Sequence, residues 1–82
     1  MSSLFERFRL WEILLSRLEK ETQTWTELEK TVVKDNNFSS AMFRKAIQDL
    51  KLQAYIKQQK KRAPYEITPS GLLWLRSRQR FK

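Results

Sequence analysis

The sequence predicts a mainly α-helical fold with one small β-hairpin, in the order helix, short strand, helix, helix, hairpin, helix. Apolar residues recur at spacings of three and four through most of the chain, the pattern of helices with one buried face. Two short alternating stretches flank the polar, Pro-containing run Lys60–Pro64, the pattern of a hairpin with a moderately long loop. Thr68-Pro69 then opens a last helical stretch, with Thr suited to the N-cap and Pro to the first helical position.

The first helix is expected from Ser3 to about Lys20. Leu4, Phe8, Trp11, Leu15 and Leu18 form one stripe, and Ser3 with Glu6 has the spacing of a capping box. Leu10, Ile13 and Leu14 fall outside that stripe. Thr22–Trp25, β-branched and aromatic, suits a short extended segment. Thr26-x-x-Glu29 reads as a second capping box and predicts a helix over about Glu27–Lys34, with Leu28, Val32 and Val33 inward. Asp35-Asn36-Asn37 is a turn cluster. Ser39 or Ser40 caps a third helix, 39–53, whose buried face is Phe43, Ala46, Ile47 and Leu50. Tyr55–Gln59 and Tyr65–Thr68 are the hairpin strands, with Tyr55 and Tyr65 expected as cross-strand neighbours. The last helix covers about 69–80, and Gly71 in its first turn permits close packing.

A length of 82 residues predicts one domain over 1–82, and 40% hydrophobic residues suffice for a core. With no Cys there is neither a disulfide framework nor a thiolate metal site. No apolar run approaches the length of a membrane span and no signal-peptide core is visible, so a cytoplasmic location is expected, on the nucleoid if the source is prokaryotic. The net charge of +8 is unevenly placed. Residues 1–35 hold six Lys/Arg and seven acids, net −1; residues 36–82 hold eleven Lys/Arg and two acids, net +9. Such an asymmetry suits a polyanionic partner.

Two short helices joined by a tight turn, the second basic on its outer face, form a helix-turn-helix, and the hairpin that follows adds a wing. In this arrangement the second helix enters the major groove of duplex DNA. Its outer residues Ser39, Ser40, Arg44, Lys45, Gln48 and Lys51 are hydrogen-bonding groups suited to bases and phosphates. Arg44 has the chemistry to grip guanine in a bidentate way, and Gln48 to grip adenine. The wing, 57–65, carries Lys57, Lys60, Lys61 and Arg62, which suit phosphate contacts, with Arg62 placed at the tip for a minor groove.

Two stretches resemble winged helix-turn-helix transcription regulators, in the broad group that includes the MarR-like and PadR-like proteins. One runs Ser39-Ser40, Phe43, Ile47-Gln48-Asp49-Leu50 and Ala54-Tyr55-Ile56, similar to a recognition helix leading into the first wing strand. The other is Tyr65-Glu66-Ile67-Thr68-Pro69-Ser70-Gly71, similar to the second wing strand leading into the final helix. The likeness covers about Trp25–Leu75. The family usually has Gly where this chain has Ala54. The resemblance implies sequence-specific binding of operator DNA as a homodimer.

Four consecutive apolar residues, Leu72–Leu75, point in all directions around the last helix. Leu10, Ile13, Leu73 and Trp74 are therefore expected to form a dimer interface. Phe8, Trp11, Trp25, Phe38 and Phe43 are expected in the core or at turns. With no His, no nucleophile–base pair, no Gly-rich phosphate loop and no metal-ligand spacing, no enzymatic activity, cofactor, metal or small-molecule ligand is expected. Two other uses of the same fold remain open: a protein-interaction module in a larger assembly, and an architectural or replication-accessory protein that coats DNA without sequence preference.

Overall fold

Four helices and one hairpin follow the predicted order. They are α1 (Leu4–Lys20), α2 (Trp25–Glu29), α3 (Ser40–Leu52), β1 (Ile56–Gln58), β2 (Tyr65–Ile67) and α4 (Pro69–Arg80), and α2 runs on into a π-helical segment, Lys30–Asp35. The computed structural model describes residues 4–80, and the side chains of 5–79. The Ser3 cap, the place of Leu4 in the first stripe and the side chains of Arg80 and Lys82 lie outside the described residues.

Helix α1 buries a wider face than its main stripe predicts. Leu10, Trp11, Leu14, Leu15 and Leu18 are all buried, because α1 packs at once against α3, α4, β2 and the π-helical segment. Leu10 is 1% exposed, so it belongs to the core and has no surface to give a second copy, contrary to its expected place in a dimer interface. The core is completed by Leu28, Val32, Phe43, Ala46, Ile47, Leu50, Ile56, Tyr65 and Leu75. Phe8, Trp11, Tyr55 and Trp74 form an aromatic cluster between α1 and α4, with centroids 5.4–6.2 Å apart in edge or tilted contacts. Trp74 is thereby half-buried within the chain, and Leu73, 72% exposed, is the fully outward residue of the four apolar ones.

The cap of α2 lies two residues before the expected one. Thr24 Oγ1 accepts from the Glu27 amide (3.3 Å), and Glu27 Oε1 accepts from the Thr24 amide (2.9 Å). The chain holds two overlapping Thr-x-x-Glu sequences, and the first one closes the box. That places Trp25 at the first helical position. The expected short strand is a single antiparallel bridge, Gln23 to Tyr65, with both amides donating across it (3.2 and 2.7 Å).

Helix α3 starts on Ser39, whose Oγ accepts from the Met42 amide at 3.1 Å. It ends in a left-handed turn. Tyr55 N donates to Leu50 O (2.9 Å), Ala54 N donates to Lys51 O (3.0 Å), and Ala54 lies at φ 60°. The hairpin pairs Ile56 with Ile67, Lys57 with Glu66 and Gln58 with Tyr65. Tyr65 thus faces Gln58 rather than Tyr55, because the 59–64 loop sets the register and leaves Tyr55 before the first strand, in the aromatic cluster.

Thr68 locks hairpin, α3 and α4 together. Its amide donates to Tyr55 O (3.0 Å), its hydroxyl donates to Ala54 O (2.6 Å) and accepts from the Gly71 amide (3.1 Å). This is the joint that holds the wing against the end of α3.

Candidate nucleic-acid interface

Every residue expected to meet DNA is exposed: Ser39, Ser40, Arg44, Lys45, Gln48 and Lys51 on α3, and Lys57, Lys60, Lys61 and Arg62 in the hairpin. The structure does not treat them as equivalent. Arg44, Gln48 and Lys51 follow one another by about one turn and line a common groove of about 400 Å³, together with Trp25, Ile47 and Tyr65. Lys45, one residue round the helix, leaves that groove. It pairs with Asp49 (3.2 Å) and lines a smaller cleft toward α1 with Arg7, Leu10, Ala41, Met42 and Ala46. Ser39 has its oxygen engaged in the cap, whereas Ser40 opens the exposed stripe that continues through Arg44.

The hairpin is built to hold a cationic tip. Ile56, Gln58, Tyr65 and Ile67 share the inward face, so Lys57 and Glu66 point to the other face as cross-strand partners. Gln59 Nε2 donates to Glu66 Oε2 at 3.3 Å. At the tip Ala63 N donates to Lys60 O (3.0 Å), Gln58 Nε2 donates to Ala63 O (2.7 Å), and Arg62 takes the left-handed conformation at φ 70°. Lys60, Lys61 and Arg62 project from this closed turn, and Lys57 has Glu66 beside it.

Arg76 and Arg78 are used otherwise. Arg76 reaches Glu19 (3.3 Å), and Arg78 lies 3.9 Å from Glu12 with its guanidinium over the Phe8 and Trp74 rings. These arginines fasten α4 to α1. Among the described residues the positive charge after residue 35 therefore divides in two: a share that packs the back of the molecule, and a share on α3 and the wing in which Lys45 is the cation with an ion pair.

Trp25 and Tyr65 are site residues that the sequence reading did not place. Trp25 is half-buried, with its ring edge-on to Phe43 at 4.7 Å. Tyr65 carries the Lys51 ammonium 5.6 Å from its ring centre, and burial pushes its phenol above the ordinary 10.0. The signal for Trp25 was the first Thr-x-x-Glu pair, which makes it the opening residue of α2 rather than part of a strand. Among the described residues no cluster of His, Cys, Asp or Glu is placed to hold a metal ion, and no helix is long and apolar enough to cross a membrane.

A helical core, a helix-turn-helix ending in an exposed polar stripe and a hairpin beside it define a winged helix-turn-helix. A solved structure of a transcriptional regulator from Clostridium thermocellum has the same fold. It superimposes with a TM-score of 0.75 over 98% of this chain and 85% of that one, at 22% identity. No protein-family profile and no curated protein matches the chain.

Proposed function

We infer that this chain is a double-stranded DNA-binding transcriptional regulator. Helix α3 lies in the major groove, and the wing lies on the backbone or in the adjacent minor groove. The observation that supports this reading most is the division of cations. On α4, Arg76 and Arg78 are committed to acids of α1, while Arg44, Lys51, Lys60, Lys61 and Arg62 are exposed with no ion pair among the described residues. Unpaired cations on a helix-turn-helix and its wing are what phosphate neutralisation requires. The resemblance of the chain to winged-helix regulators, and the fold it shares with one, support the same use.

Within this reading the wing supplies salt-sensitive affinity, and Arg44 and Gln48 supply sequence choice. Lys45, tied to Asp49 on the flank, makes a peripheral phosphate contact. The regulator acts by occupancy as a homodimer on a pseudo-palindromic site. With Leu10 in the core, the dimer face rests on Leu73 of α4 and the exposed edge of Trp74, while Ile13 lies in the cleft toward the π-helical segment.

Selection from random duplexes, followed by sizing of the selected complex, tests the proposal. A recurrent site bound by two chains supports it. Binding without sequence preference would make the protein an architectural DNA-coating factor. Absence of binding at physiological salt, with stoichiometric capture of a protein partner, would make it an interaction module.

A further inference from the structure

The groove beside α3 has a wall that the readings above leave unused. Arg44, Gln48 and Lys51 line it together with Trp25, Ile47 and Tyr65. Ile47 and Tyr65 belong to the core, at 3% and 5% exposure. Trp25 does not: it is half-exposed and lines the same groove as Arg44 and Lys51, neither of which has an ion pair among the described residues.

Its position is firmly set. The Thr24–Glu27 box fixes the start of α2, and the Gln23–Tyr65 bridge fixes the residues before it. The ring is braced edge-on against Phe43, a wholly buried residue of α3. A rigid indole is thus carried on the same body as the recognition helix, and it costs little entropy to immobilise. An apolar plate next to Lys51 matches a deoxyribose beside a phosphate, in charge and in polarity. Base edges would need hydrogen-bonding groups on that wall.

We propose that the part of this groove between Trp25 and Lys51 seats the sugar–phosphate backbone of duplex DNA, with Trp25 packing on a deoxyribose and Lys51 neutralising the neighbouring phosphate. The proposal rests on the DNA-binding reading. It predicts that the Trp25 contact adds affinity without reading sequence and without displacing a counterion, while the Lys51 contact displaces one.

The test uses the whole chain and labelled random-sequence duplexes, and wild-type binding is measured first. Wild-type tryptophan fluorescence should change on duplex addition, and the change should be lost in Trp25→Phe, which keeps an aromatic edge on Phe43. Trp25→Ala should weaken binding about fivefold on all sequences alike, as loss of one modest apolar contact implies. Its slope of log K against log salt should stay that of wild type. Lys51→Ala should instead lower that slope by about one. A thermal melt of each variant separates loss of contact from loss of fold. Unchanged affinity in folded Trp25→Ala, a fluorescence change that survives Trp25→Phe, or a loss confined to particular sequences would each overturn the proposal. If wild type binds no duplex, the functional reading itself fails, and that is seen before any variant is made.

Discussion

Ala54 holds a left-handed backbone at φ 60° as the residue that closes α3. An L-residue there costs about 1–2 kcal/mol, while glycine adds about 0.5–1 kcal/mol of unfolded-state entropy. Ala54→Gly should therefore raise stability by up to about 1 kcal/mol, read as a higher urea midpoint with an unchanged slope. Gly71 is the opposite case. A Cβ at this position would overlap the Tyr55 carbonyl oxygen and come 3.0 Å from Ile67 Cγ1, so backbone has to move. Gly71→Ala should destabilise by about 2 kcal/mol or more in the same assay. Both residues flank the Thr68 joint, so a stable Ala54→Gly protein should keep its wing in place. A third residue sets an acid limit. The Thr24 amide, and then the Thr24 hydroxyl, hold the Glu27 carboxyl below its ordinary 4.5. A depressed folded value means that the stabilisation is present above the unfolded value and lost as pH falls through the folded one. Melting temperature should thus fall as pH drops below about 4.5, and fall less in Glu27→Gln, which keeps the capping geometry but does not titrate.

At the scale of elements, α3 and the wing divide the work. Lys60, Lys61 and Arg62 stand on a turn closed by Ala63 and Gln58, and so project together. Replacing all three with Ala should weaken binding to every duplex and reduce the salt slope by about three. Arg44→Ala or Gln48→Ala should instead flatten the differences between sequences, by about 1–3 kcal/mol at the base concerned. Much of this was legible in the chain. The face Phe43, Ala46, Ile47, Leu50 repeats at three and four, and its complement had to be the exposed stripe. The Thr68-Pro69 start of α4 also stands as read. What was not legible depended on neighbours. Leu10 and Leu14 are buried because α1 is covered on several sides, and one helix period describes only one side. The cap of α2 was ambiguous because two Thr-x-x-Glu pairs overlap, and with it went the role of Trp25. The register that separates Tyr55 from Tyr65 is set by a six-residue loop, 59–64, whose closure no local pattern specifies. The π-helical turn Lys30–Asp35 has no sequence signature.

Across the whole molecule, the charge of the described residues is sorted into a back where Arg76 and Arg78 are paired and a front where, of the cations on α3 and the wing, only Lys45 has an ion pair, with Asp49. Glu12 and Glu19 of α1 meet Arg78 and Arg76 of α4, so an excess that looks continuous in the sequence is interrupted in space. Arg76→Ala should accordingly leave DNA affinity and its salt slope unchanged, although it removes the same charge as Lys60→Ala. The most direct measurement is fluorescence anisotropy of a labelled duplex titrated with wild-type protein at 50 and 200 mM salt. With Lys45, Lys51, Lys57, Lys60, Lys61 and Arg62 all facing phosphates, affinity should fall by about 10³ between the two, at a slope near −5. Binding that ignores salt, or no binding at either concentration, would contradict the account.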